Sequence, residues 1–206
     1  MQLFILGATG RTGTHLVDLG LSRGHTITAF VRSPHKIQRE HPCLSVIRGD
    51  PFSVDELASA LPGNDVVLSA LGVSPRSAFR PHSLLQDCAA STVAAMTRAE
   101  VDRIVFVSGA VLFPEKGLMF AFFQWLLKHI ARDFAAAEDI LRATTLAWTI
   151  ARPPRLVETS DARYRSARDA LPPGGASMSF RAVAAFMLDA VERRGHVREI
   201  VGLASA

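Results

Sequence analysis

A chain of 206 residues is long enough to bury one full core, and a composition of 49% hydrophobic and 20% charged residues excludes a disordered or fibrous chain. Two isolated cysteines, Cys43 and Cys88, exclude a disulfide-stapled scaffold and a cysteine zinc site, and point to a reducing compartment. The net charge of +4 comes from basic residues scattered singly without interleaved aromatics, so it suits an anionic small ligand rather than nucleic acid.

In chain order, residues 2–6 (QLFIL) form a short apolar strand, not a signal peptide, since no basic segment precedes them. A cytoplasmic protein is expected. The next seven residues, GATGRTG (7–13), open a helix whose apolar face carries Leu16, Val17, Leu19 and Leu21 and which Gly24 closes. A strand at 26–32, a short helix at 33–40 and a strand at 44–50 follow. Residues 53–61 form a helix in which Ser53 and Glu56 have capping-box spacing. The runs 65–72 and 102–110 are apolar throughout, as parallel strands covered on both faces are. Between them, residues 82–99 place Leu85, Cys88, Ala89, Thr92, Val93 and Met96 on one helical face. A helical region at 117–143 precedes a strand at 146–154, and a serine-capped amphipathic helix at 179–194 leads to a last strand at 198–204.

Repeated strand-helix-strand units with short links predict an α/β fold of Rossmann type: one domain over 1–206, a doubly wound parallel sheet with helices on both faces. Such sheets bind ligands at the carboxyl ends of the strands, near the switch in strand order. The glycine loop lies there. Gly7 makes the tight turn, Gly10 lets backbone approach a pyrophosphate, and Gly13 lets helix pack closely on strand, while the helix N-terminus offers free N–H groups and its positive dipole end. The spacing is GxxGxxG rather than GxGxxG, but its place between a first strand and a helix supports dinucleotide binding by Gly7, Thr9, Gly10, Arg11, Thr12 and Gly13. Where an NAD-binding chain carries an acid at the end of its second strand, this one has Arg32. Arg32, Ser33 and Lys36, together with Arg11, suit a 2'-phosphate, which favours NADPH over NADH.

The segments LGATGRTG, FVRSP, GD (49–50), ALG (70–72), VDRIVFVSGA and WTIARPP occur in that order. With them the chain resembles, over nearly its whole length, the atypical short-chain dehydrogenase/reductases of the NmrA-like and biliverdin-IXβ/flavin reductase group. The resemblance implies that Asp50 and Pro51 lie near the adenine, that Leu71 and Gly72 pass over the cofactor, and that Ser108 and Gly109 border the nicotinamide. It also implies that Pro153 and Pro154 shape the substrate mouth. Two positions depart from the flavin-reductase type, which has a serine where Gly109 stands and a histidine where Arg155 stands; these leave the substrate open.

Other short-chain dehydrogenases use Tyr-x-x-x-Lys on a helix. Here the one tyrosine, Tyr164, is followed at four residues by Arg168 in a stretch of alternating polarity that reads as hairpin, so no such dyad is expected. Ser108 is a candidate to hold the carboxamide or a substrate oxygen. Arg152 and Arg155 flank the double proline and suit an anionic acceptor or a developing oxyanion. Asp133, Glu138 and Asp139 share a helix with no facing acid pair and read as solvated charges. Seven dispersed histidines give no metal site. The apolar run 117–131, broken by Gln124, is too short to span a bilayer and reads as core, subunit contact in a homodimer, or pocket wall.

Together these features predict an NADPH-dependent reductase that passes hydride to a flat conjugated acceptor such as a flavin, quinone or polycyclic ketone. Ser108 and Arg155 are the catalytic candidates, and the substrate side lies around 110–135 and 152–178. The rival expectation is a redox sensor of NmrA-like type that binds the dinucleotide and turns nothing over.

Overall fold

Along β1 (Gln2–Leu6) the side chains alternate between two apolar sides: Leu3 and Ile5 enter one core, Phe4 and Leu6 the other, and all four are at most 1% exposed. A strand apolar on both sides must be covered on both. The computed structural model, which describes residues 1–72, 83–114 and 127–206, shows the two covers. Helices α1 (Arg11–Ser22) and α5 (Phe180–Glu192) close one face over Leu16, Val17 and Phe186. Helices α2 (Val54–Ala60), α3 (Leu84–Arg98) and α4 (Lys128–Arg142) close the other over Leu57, Leu85 and Met96. Each fully buried leucine contributes roughly 1.5–3 kcal/mol.

The parallel strands are β1, β2 (Thr26–Val31), β3 (Leu44–Arg48), β4 (Val66–Ser69), β5 (Arg103–Val107), β6 (Ala147–Arg152) and β10 (Glu199–Ser205), with β8 (Tyr164–Arg168) antiparallel at one edge. Their spatial order is β3-β2-β1-β4-β5-β6-β10-β8. A second, two-stranded parallel pair joins β7 (Arg155–Val157) to β9 (Ser177–Ser179). The order reverses beside β1, whose Leu6 stands level with Phe30 of β2 on one side and Ser69 of β4 on the other. A crevice therefore opens where these strands end, and the glycine loop emerges into it.

The doubly wound single domain is the one expected, with differences in detail. Residues 33–40 form only a single 3-10 turn at Pro34–Lys36, because Ile37 alone in that stretch is apolar and a longer helix would have no face to bury. Residues 164–168 are a strand, but they pair with β10 rather than in a local hairpin. Most of the apolar run 117–131 lies outside the described residues. No described helix is long and apolar enough to cross a membrane.

One expectation is overturned here. Asp133 of α4 is no solvated charge: it is 2% exposed, and its carboxylate accepts the backbone N–H groups of Leu85 (3.0 Å) and Gln86 (2.9 Å). These are donors of the first turn of α3, where the neighbouring Ser83 makes no capping bond to the backbone. A carboxylate on one helix thus caps the next, and the dipole of α3 favours its charge. Replacing Asp133 by alanine is expected to lower the unfolding free energy by about 1–3 kcal/mol in urea denaturation. The exposed Asp139→Ala, one turn and a half further along, is expected to stay within about 0.5 kcal/mol of the parent.

Candidate functional site

The chain leaves β1 through Gly7, at φ +79°, where a Cβ would lie 2.7 Å from the carbonyl oxygen of Ala70 at the end of β4. At Gly13 a Cβ would stand 2.0 Å from the Gly7 carbonyl oxygen and 2.7 Å from the Cα of Ala8, so only glycine lets α1 start this close to the strand. Gly10 is the N-cap of α1, and its N–H donates to the Gly7 oxygen at 2.9 Å. No side chain caps that helix, and its first turn holds no acid. The loop is thus a cradle of backbone N–H groups at a positive dipole end, with room above it, and it fits the phosphates of a dinucleotide.

Beside the cradle, between the ends of β1, β2 and β4, is a pocket lined by Gly7, Thr9, Phe30, Val31, Arg32, Pro51 and Leu71, with Leu6 behind. Pro51 is held in place from α3, since the Ser91 hydroxyl donates to its carbonyl oxygen at 2.5 Å. The neighbouring Asp50 donates its N–H to Glu56 Oε2 (2.9 Å) and accepts the Phe52 N–H on Oδ1 (3.1 Å). The expected capping box is therefore split: Ser53 Oγ accepts from the Glu56 N–H at 3.3 Å, while the Glu56 carboxylate serves Asp50 instead. Cys88 is a core residue, and burial pushes its thiol up to about 12 against the opposing pull of Arg32. It carries no nucleophilic chemistry near neutral pH.

A second recess, behind Thr9, brings Lys36 beside Thr9 and Thr14, while Arg39 pairs with Asp18. Arg32, Thr9 and Lys36 thus gather around adjoining recesses. Arg11 does not join them. Its guanidinium lies 4.1 Å from the centre of the Phe180 ring, the first residue of α5, and it lines neither recess. The cation–π contact turns it to the other side of the loop.

At the end of β5, Ser108 is 3% exposed and its hydroxyl donates to Glu138 Oε1 at 2.5 Å. Glu138 also receives Arg152, whose Nε reaches Oε1 at 3.0 Å and whose Nη2 reaches Oε2 at 2.5 Å. Glu138 is 1% exposed, so its reading as a solvated helix charge is overturned as well. Arg152 is turned inward, with its Nη1 donating to the Leu112 carbonyl oxygen at 3.4 Å and its guanidinium 4.8 Å from the Phe113 ring centre. It is a largely enclosed partner of Glu138, not an open cation for an anionic acceptor.

Gly109 follows Ser108 with extended backbone, and a Cβ there would lie 2.9 Å from Cε2 of Phe134. The ring of Phe134 occupies the space that a serine at this position would need. The buried Pro153 accepts the Ala110 N–H at 2.9 Å, which ties the end of β6 to the end of β5. Arg155 is exposed on β7, level with Ser177. Leu71 is half-buried and Gly72 exposed at the end of β4. Tyr164 lies three strands away from β5: its hydroxyl donates to Asp189 Oδ2 at 2.6 Å, and burial together with that carboxylate raises its pKa.

The buried partnership of Glu138 with Ser108 and Arg152 is what the sequence reading misses. The signal was there: with Phe134, Ala137 and Leu141, Glu138 falls on the inward stripe of α4, where a charge needs a buried partner.

A family model described as NAD(P)H-binding matches residues 7–194. The oxidoreductase stcQ of Emericella nidulans is 31% identical over 227 residues, an alignment covering 95% of this chain and 80% of that protein. A Rossmann-fold NAD(P)-binding family protein from Shigella flexneri superposes with a TM-score of 0.79 at 26% identity, over 99% of this chain and 93% of that one. A candidate NADH-flavin reductase from Streptococcus pneumoniae, at 24% identity and a TM-score of 0.77 over all of both chains, shares the fold.

Proposed function

The chain belongs to a family of NAD(P)H-binding proteins, and from that premise we propose that it is an NADPH-dependent reductase of the atypical short-chain dehydrogenase/reductase type, acting on flat, conjugated acceptors such as flavins, quinones or polycyclic ketones. The observation that carries this reading is the uncapped, acid-free glycine cradle whose adjoining pocket ends in Arg32 rather than in a carboxylate. In this reading the backbone N–H groups around Thr9, Gly10, Arg11, Thr12 and Gly13 hold the pyrophosphate over Gly7. Asp50 and Pro51 border the adenine, and Leu71 and Gly72 pass over the cofactor. Arg32 and Ser33, supported by Lys36, take the 2'-phosphate, because a guanidinium offers paired donors to phosphate oxygens. Ser108, Gly109 and Pro153 border the nicotinamide, which when bound in its reduced form supplies a hydride.

The acceptor class is argued from the donors that the described residues withhold. The Ser108 proton is given to Glu138, the Arg152 fork is folded onto the same carboxylate, and the Tyr164 proton is given to Asp189. An isolated ketone or aldehyde needs a proton on its oxygen as hydride arrives. A conjugated acceptor spreads the charge and takes its proton from water, so positioning alone carries most of the acceleration. Arg155, exposed on β7, is one cation among the described residues that is available to a negative acceptor. The substrate side is assigned to 110–135 and 152–178, of which 115–126 lies outside the described residues.

The direct test is NADPH consumption by the purified protein with flavins, quinones and polycyclic ketones in turn, with NADH in parallel. Turnover with one of these classes and preference for NADPH is expected. Tight NADPH binding with no turnover on any of them would overturn the enzymatic reading in favour of a redox sensor. Arg32→Asp is expected to move the NADPH/NADH preference at least tenfold toward NADH, roughly the worth of one charge-assisted pair. An unchanged ratio would remove Arg32 from the 2'-phosphate site.

A further inference from the structure

Two side chains of different elements converge on Glu138. Ser108 comes from the end of β5, Arg152 from the end of β6, and the carboxylate they share stands on α4 with 1% of its surface exposed. A serine hydroxyl has one proton and two lone pairs, an arginine has only donors, and a carboxylate has only acceptors. Arg152 donates to both oxygens of Glu138, which serves the cluster as its acceptor. The 2.5 Å contact between Ser108 Oγ and Glu138 Oε1 therefore needs the serine proton between the two oxygens. Rotating it away would leave two lone-pair-bearing oxygens at that distance, one of them charged. The direction of the bond is fixed, and a ligand reaching Ser108 meets lone pairs.

We propose that Glu138 is a positioning residue that fixes the Ser108 hydroxyl as a hydrogen-bond acceptor and so selects the primary carboxamide N–H of the nicotinamide as its partner. This rests on the reading of the β5 end as the nicotinamide side. An oxyanion or substrate carbonyl is disfavoured at Ser108, since it would oppose lone pair to lone pair. A primary amide is favoured, since it brings an N–H. Arg152 holds the carboxylate in place, and Phe113, under its guanidinium, holds the arginine in turn.

Equilibrium binding of two probes tests this without turnover: NADP+, and its 3-acetylpyridine analogue, in which a methyl ketone replaces the carboxamide and no N–H remains. The parent protein is expected to bind NADP+ about tenfold more tightly than the analogue, as one net hydrogen bond allows. Ser108→Ala and Glu138→Ala, which removes the acceptor from Ser108, are expected to bind the two with equal affinity, the loss falling on NADP+. A Glu138 that only supports the fold would weaken both probes by one factor and leave the tenfold ratio standing, which would overturn the proposal. Equal affinities in the parent would overturn it too. Should Glu138→Ala fail to fold, Glu138→Asp keeps a carboxylate opposite Arg152 but withdraws it from Ser108 by one methylene, and its ratio must fall toward one or the proposal is wrong. If the parent binds neither probe, the dinucleotide site itself is misassigned, a failure distinct from an unchanged ratio.

Discussion

The contact on which the rest of the molecule depends is that of α1 with the strand it follows. A backbone carbonyl of Gly7 lies where the first side-chain carbon of residue 13 would be, and the carbonyl of Ala70 lies almost as close to residue 7. Main chain packs on main chain at this point, with no side chain between. That brings the first N–H groups of α1 to the crevice between β1 and β4, where among the described residues no side chain caps the helix. The same close approach that makes the turn makes the anion cradle. Fold and site share one cause, which is why a glycine spacing in the sequence speaks to both.

The opposite side of the sheet is organised by buried carboxylates rather than by glycine. On α4, Asp133 reaches to α3 and Glu138 reaches to the ends of β5 and β6, so one helix ties together α3 and both strand ends. The Glu138–Arg152 ion pair contributes little net stability, yet removal of one partner from such a pair costs about 3–5 kcal/mol. The value of these contacts is that they admit one arrangement. Hydrophobic packing holds α4 against the sheet through Ala137 and Leu141, and the two carboxylates decide how it is turned.

Much of this was legible in the sequence because the decisive signals are local. The alternation of apolar strands and amphipathic helices sets the doubly wound sheet, and GATGRTG between a strand and a helix sets the cradle. Arg32 at a strand end could be read for what it lacks, an acid. What escaped the sequence depends on partners distant in the chain. Arg11 looked like a phosphate ligand until Phe180, at the start of a helix near the other end of the chain, proved to hold it by its ring. Asp133 and Glu138 looked like ordinary helix charges because their partners lie on other elements. The three-residue strands of β7 and β9 are too short for a pattern, and each is defined only by the other.

The central claim is that the glycine cradle binds a nicotinamide dinucleotide through its backbone. Calorimetric titration of NADPH into the parent protein and into Gly10→Val tests it most directly, with the melting temperature of each as control. A Cβ at Gly10 would lie 3.2 Å from the Gly7 carbonyl oxygen, close but not prohibitive, so the variant is expected to fold. Its branched side chain would stand over the N–H groups. Saturable binding in the parent and a loss of at least tenfold in Gly10→Val is the result this account predicts. Unchanged affinity in a folded Gly10→Val would contradict it.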